Sequence, residues 1–230
     1  MRKIVILTGA GISAESGLGT FRDAGGLWAR HRIEDVATPE GFARDPALVH
    51  RFYNARRAQA VEARPNPAHA ALARLQAAHD GEVVIITQNV DGLHETAGAQ
   101  NVIHMHGMLS GALCAACDAR WQAPLAMGPG DACPVCAARA ARPDVVWFGE
   151  IPYRMVEIGQ HLDEADVFVA IGTSGQVWPA AGFAQQAARG GAWRVEMNLE
   201  PSDITGDFSE TRLGRASEVV PVWVAEVLGA

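Results

Sequence analysis

Apolar-rich, β-branched runs at Lys3–Leu7, Val83–Thr87, Val167–Ile171 and Arg194–Met197 constrain the fold of this chain more than any other feature. A strand with one wet face alternates apolar and polar residues, whereas an unbroken apolar run suits a strand covered on both faces, as in a parallel sheet. Each run ends in a turn containing Gly, Asn or Gln, and helix-like stretches lie between them. Pro67 to Ala78 opens on a proline suited to a first helical turn, Met155 to Glu164 is amphipathic, and Ala180 to Ala188 is alanine-rich. Strand–helix alternation predicts an α/β fold, a doubly wound parallel sheet.

Two segments break that rhythm. Residues 30–64 carry helical patterning without a strand, and residues 111–143 hold all four cysteines. Both read as insertions forming a smaller lobe, which leaves 1–29, 65–110 and 144–230 for the Rossmann-like domain. The Ala/Arg run at 137–142 reads as a solvated turn. A formal charge of −7 argues against a nonspecific grip on nucleic acid, which needs clustered Lys and Arg. The apolar stretch after the N-terminal Met-Arg-Lys spans only Ile4 to Leu7, short of a signal-peptide core, and no run approaches a membrane span. A monomeric cytoplasmic protein without a membrane partner is expected.

Cys114-x-x-Cys117 and Cys133-x-x-Cys136, separated by fifteen residues, form a tetrathiolate zinc signal. Four thiolates complete a tetrahedron, so one structural Zn²⁺ without an open coordination position is expected, in a zinc-ribbon and helical lobe.

The first apolar run leads into Gly9-Ala10-Gly11-Ile12-Ser13-Ala14, which fits the Gly-x-Gly-x-x-Gly/Ala dinucleotide fingerprint between a strand and a helix. The acidic ribose partner expected at the end of a second strand, about 20 residues on, falls in the Arg22–Trp28 stretch, which reads as a loop, so the contact is expected from elsewhere. Asn198-Leu199-Glu200 is a candidate for that contact, and Gly172-Thr173-Ser174 offers another small-residue turn. Gln88-Asn89-Val90-Asp91 and His104-Met105-His106-Gly107 also follow strands, where polar groups suit a general base and its orienting partners. Spacing alone does not say which histidine acts.

Taken together these motifs resemble the sirtuin family over nearly the whole chain. Gly9 to Gly17, with Glu15, continues to Thr20, Phe21 and Arg22 like the family's first signature. Gln88 to Asp91, His106-Gly107, the cysteine pairs, Val146-Trp147-Phe148-Gly149-Glu150, Gly172 to Ser174 and Asn198 to Glu200 follow in the family's order. The resemblance implies an NAD-consuming protein-lysine deacylase. The acyl oxygen attacks the nicotinamide-bearing ribose carbon, nicotinamide leaves, and an O-acyl-ADP-ribose forms beside free lysine. His106 is then the catalytic base, Asp91 holds the nicotinamide amide, and Asn89 shapes the ribose and water site. Trp28 and Ala216 join the implied cofactor contacts, and His104 is structural. Acylated lysine peptides are the implied partners, lying along Val146 to Glu150 and the loop near Gly175–Val177 by backbone pairing.

Tyr53 and Arg56, at i and i+3 on one helical face, resemble the Tyr-x-x-Arg pair of the desuccinylase branch, where phenol and guanidinium bind a distal carboxylate. Ala37 matches a position kept small there. The resemblance thus implies removal of succinyl or malonyl as well as acetyl groups. Arg57, about 100° further round the helix, is expected to take no part. The alternatives are a plain deacetylase, a mono-ADP-ribosyltransferase using the same NAD site, and a non-enzymatic NAD-sensing adaptor, against which a base at His106 argues. O-acyl-ADP-ribose among the products separates deacylation from transfer.

Overall fold

The computed structural model describes residues 2–19 and 31–229. The cofactor contacts expected of Thr20, Phe21, Arg22 and Trp28 lie outside the described residues. Numbered in chain order, strands β1 (Ile4–Thr8), β2 (Val83–Thr87), β3 (Ile103–His104), β7 (Val167–Ile171), β8 (Trp193–Asn198) and β9 (Glu210–Leu213) form one parallel sheet in the order β3-β2-β1-β7-β8-β9. All of β1 is buried because both its faces are covered. Ile4 and Ile6 point into a cluster with α5 (Pro67–Ala78) and α9 (Ala216–Leu228). Val5 and Leu7 point the other way, onto α7 (Met155–Asp163) and α8 (Phe183–Arg189). Truncating Ile6 to Ala would cost about 2–5 kcal/mol at such a site.

Local chemistry sets the helix starts. The Asn66 side chain accepts from the Ala68 N–H, while His69 reaches back to the Asn66 N–H in a capping box, with Pro67 in the first turn. The helix expected from Ala180 begins as a single 3₁₀ turn, Ala180–Gly182, before α8. β9 and α9 carry no strong sequence signal. Edge strand β9 is a half-exposed Glu-Thr-Arg-Leu segment, and α9 contains Pro221.

The smaller lobe joins α2 (Ile33–Val36), α3 (Pro39–Arg44) and α4 (Pro46–Glu62) to an antiparallel sheet, β5-β4-β6, built from β4 (Gly107–Cys114), β5 (Arg120–Gln122) and β6 (Ala141–Val145). Val49, Phe52 and Tyr53 of α4 pack with Leu109, Val145, Trp147 and Val90. One expectation is corrected here. The end of the 137–142 run is strand, and Arg142 is buried against Trp147 instead of solvated. Arg57 is likewise buried, donating to the Leu109 carbonyl at 2.8 Å and to Asn54 Oδ1 at 2.6 Å, because this face of α4 meets the zinc-lobe sheet. Among the described residues no helix is long and apolar enough to cross a membrane.

Candidate active site

At the carboxyl ends of β1 and β7 two turns are pressed together. The Gly11 N–H donates to the Gly172 carbonyl at 2.9 Å. A Cβ at Gly9 would lie 2.7 Å from Gly172 O, and one at Gly11 would lie 2.7 Å from Gly172 Cα, so both positions require glycine. Gln88 at the end of β2 donates to Thr173 Oγ1 (3.1 Å), and Asn198 at the end of β8 donates to the Thr173 carbonyl (2.8 Å). Four adjacent strand ends are thereby stitched into one rim, the edge where open α/β sheets take ligands. Ala10 and Ser174 are half-buried, and Ala14, Leu199 and Glu200 exposed, on these turns. Glu15 faces elsewhere. Its carboxylate accepts from the Ser217 N–H (3.0 Å) and Oγ (2.6 Å), beside Ala216 at the start of α9.

Behind the rim lies a buried polar network. Ser13 Oγ donates to Asp91 Oδ2 at 3.1 Å and accepts from Asn89 Nδ2 at 3.1 Å, which also reaches the Gly9 carbonyl. Burial pushes the Asp91 carboxyl above its ordinary range, against the pull of the Leu93 N–H and Ser13. Val90 points into the smaller-lobe core, and its carbonyl accepts from Leu109, so the loop joins the two lobes.

His69 and His94 support this network and were not singled out by the sequence reading. His69 Nδ1 accepts the Asn66 N–H, so its proton sits on Nε2, 3.5 Å from Ser13 Oγ. His94 Nε2 lies 3.0 Å from Thr8 Oγ1, which donates to Thr87 Oγ1, which in turn accepts the Asn89 N–H. The capping-box spacing of Asn66 and His69 was the available signal. For His94 no local pattern points inward.

His106 and His104 take different surroundings. His106 Nδ1 lies 3.1 Å from the Gln88 carbonyl, and burial lowers its pKa from the ordinary value while that hydrogen bond opposes the shift. His104 is bound at both nitrogens, to the Asn89 carbonyl (3.2 Å) and to Glu95 (2.7 Å), which suits a structural pin.

In the smaller lobe, Tyr53 is almost fully buried, and its phenol oxygen accepts from the Trp147 indole N–H at 3.0 Å. The half-buried Arg56 guanidinium lies 5.7 Å from the Tyr53 ring centroid, and desolvation lowers its pKa against the pull of Tyr53 and Asp91. Ala37 is buried beside them, its carbonyl accepting from Phe148. Most main-chain N–H groups of the Val146–Glu150 segment already have partners. Val146 N–H donates to the His106 carbonyl and Trp147 N–H to Glu150, whose carboxylate also pairs with Arg142. Trp147 therefore sits in the core, while Phe148 and Gly149 are exposed.

The sulfurs of Cys114, Cys117, Cys133 and Cys136 all lie within 4.8 Å of one another, with Cys114–Cys136 and Cys117–Cys133 at 3.7 Å. A tetrahedron with ~2.3 Å zinc–sulfur bonds has edges of about 3.8 Å. The Ala116 and Val135 N–H groups each donate to a sulfur at 3.4 Å, which favours thiolates. The group fits a closed, structural zinc.

A family model described as the Sir2 family matches residues 9–179. An NAD-dependent protein deacylase of Caulobacter vibrioides is 54% identical over 230 residues, covering 98% of this chain and 97% of that protein. A solved Sir2 homologue in complex with NAD superposes with a TM-score of 0.90 at 39% identity, covering 98% of this chain and 89% of the other. Sir2Af2, solved with a myristoylated histone peptide, gives 0.75 at 31% identity, covering 98% and 90%.

Proposed function

The chain belongs to the Sir2 family and is an NAD-dependent protein deacylase acting on acylated lysine, and from that premise we propose that its acyl pocket suits short groups ending in a carboxylate. Succinyl and malonyl are the favoured cargo, with acetyl also accepted. The observation that carries this reading is the pair of Arg56 and Tyr53. A half-buried, partly desolvated guanidinium stands against a buried phenol, which also hydrogen-bonds it, and the Asp91 charge acts on it as well. A guanidinium fork matches a carboxylate in shape and charge.

The donor set also suits NAD. The glycine turns let backbone approach a pyrophosphate, as a side chain at Gly9 or Gly11 would not, and buried Asp91 offers acceptors to the nicotinamide amide. Bound NAD supplies the ribose carbon at which the acyl oxygen reacts. His106 holds its Nδ1 proton on Gln88, which leaves Nε2 to take a proton from a ribose hydroxyl. Asn89 and Ser13 hold Asp91 in place. Rates on acetyl-, succinyl-, malonyl- and long-chain-acyl-lysine peptides with NAD test the acyl reading. It expects kcat/KM on succinyl peptide to match or exceed that on acetyl peptide, and a clear preference for acetyl or long chains would overturn it.

A further inference from the structure

Trp147 is 3% exposed and held on three sides. Its main-chain N–H donates to Glu150 Oε2 at 2.8 Å. The Arg142 guanidinium lies 3.5 Å from its ring centroid, fixed by a two-point pair with Glu150 (2.6 and 2.9 Å) and a 2.9 Å bond to the Val145 carbonyl. Its indole N–H is thereby aimed at the Tyr53 phenol oxygen, 3.0 Å away.

A phenol can donate one hydrogen bond and accept two, whereas an indole N–H only donates. Trp147 therefore occupies an acceptor position of Tyr53 and cannot receive the phenol's proton. Trp147 and the Arg56 guanidinium both donate to the oxygen of this buried phenol, which turns the phenol proton away from them. A buried donor without an acceptor is costly, and a ligand oxygen relieves the cost. The cation on the indole face strengthens the N–H as a donor, and a phenol that accepts a hydrogen bond becomes a better donor in turn.

We propose that Trp147 is a specificity-determining positioning residue, whose indole N–H fixes the Tyr53 phenol so that its proton points to the distal carboxylate of an acidic acyl group. The inference rests on the acyl reading above. An acetyl group offers no such oxygen, so the contact discriminates between the two cargoes.

Trp147→Phe removes the N–H and retains an aromatic ring under Arg142. It is expected to lower kcat/KM for succinyl peptide about three- to tenfold, mainly through KM, and to lower that for acetyl peptide by a smaller factor, so that the succinyl-to-acetyl ratio falls. In a Tyr53→Phe background the same change should add no further succinyl loss. If Tyr53→Phe alone leaves desuccinylation at the wild-type rate, the acyl reading itself fails. If Tyr53→Phe lowers desuccinylation but Trp147→Phe slows both substrates alike, or the two losses multiply, Trp147 only packs and the inference is overturned. Should Trp147→Phe not fold, 3-benzothienylalanine at position 147 keeps the indole shape without the N–H and reads the same ratios.

Discussion

His106 turns Nδ1 to the main-chain oxygen of Gln88 at 3.1 Å, and because a carbonyl only accepts, the ring proton is fixed there and the basic lone pair sits on Nε2. The strand end that carries Gln88 thus selects the tautomer a proton-accepting base needs. His106→Ala should lower turnover by about 10²–10⁴-fold, the usual cost of losing a general base. His104→Ala should lose far less beyond any folding penalty. Burial lowers the His106 pKa, so the acid limb of kcat/KM should fall below the ordinary histidine value of about 6.5. Steady-state rates from a folded His106→Ala protein that approach wild type would refute the role.

The cysteine cluster predicts about one zinc per chain by metal analysis. Structural zinc contributes folding free energy on the order of 10 kcal/mol in small zinc peptides. Cys114→Ser, which removes a buried ligand, should unfold the zinc-bearing sheet at lower temperature, with loss of activity following loss of structure. An active, cooperatively folded protein free of metal would count decisively against the site.

His69 and His94 meet edge to face, 5.0 Å between ring centroids, beneath the Ser13 and Asp91 layer. Burial pushes His69 down to about 4 and His94 to about 3, the latter also feeling His69. Both folded values lie below the unfolded value of about 6.5. As pH falls through 6.5 the unfolded chain takes up protons that the folded chain refuses, and stability drops until the folded values are reached. The two groups together can remove a few kcal/mol, as an order of magnitude. His94→Gln keeps an N–H for Thr8 with nothing to titrate, and should flatten the change in denaturant midpoint between about pH 7 and about pH 4.5. Equal slopes in variant and wild type would show that other groups dominate acid unfolding.

What the sequence revealed of these sites was what local pattern can encode. Unbroken apolar runs predicted β1, β2 and β7 because strands covered on both faces need no alternation, the apolar positions Val195 and Met197 marked β8, and the cysteine pairs declared their cluster by spacing. Arg142 was misread because charge near alanine resembles a solvated face, and only the opposing surface of Trp147 buries it; the burial of Arg57 against Leu109 likewise had no local signal. His94 escaped notice because its partner Thr8 is 86 residues away in sequence. β9 was missed because an edge strand needs little apolar surface.

The acyl pocket yields the most discriminating prediction. Arg56→Met and Tyr53→Phe should cut desuccinylation far more than deacetylation, because only the succinyl group carries a carboxylate for these side chains to hold. A hydrogen bond to a charged group contributes roughly 1.5–3 kcal/mol, and about 1.4 kcal/mol is tenfold. Each change should therefore lower kcat/KM on succinyl peptide ~10- to 100-fold, and acetyl peptide by only a few-fold. The loss should sit mainly in KM, since the distal carboxylate is held alike in ground and transition states. Arg57 does not serve as the neutral comparison on this helix, because its guanidinium anchors α4 to Leu109 and Asn54, so Arg57→Met should lower thermal stability and slow both substrates together. Exposed Arg51 on the same helix is the better control, and Arg51→Met should leave the succinyl-to-acetyl ratio at its wild-type value. If Arg56→Met slows both substrates equally, the arginine only supports the lobe and the protein is a plain deacetylase.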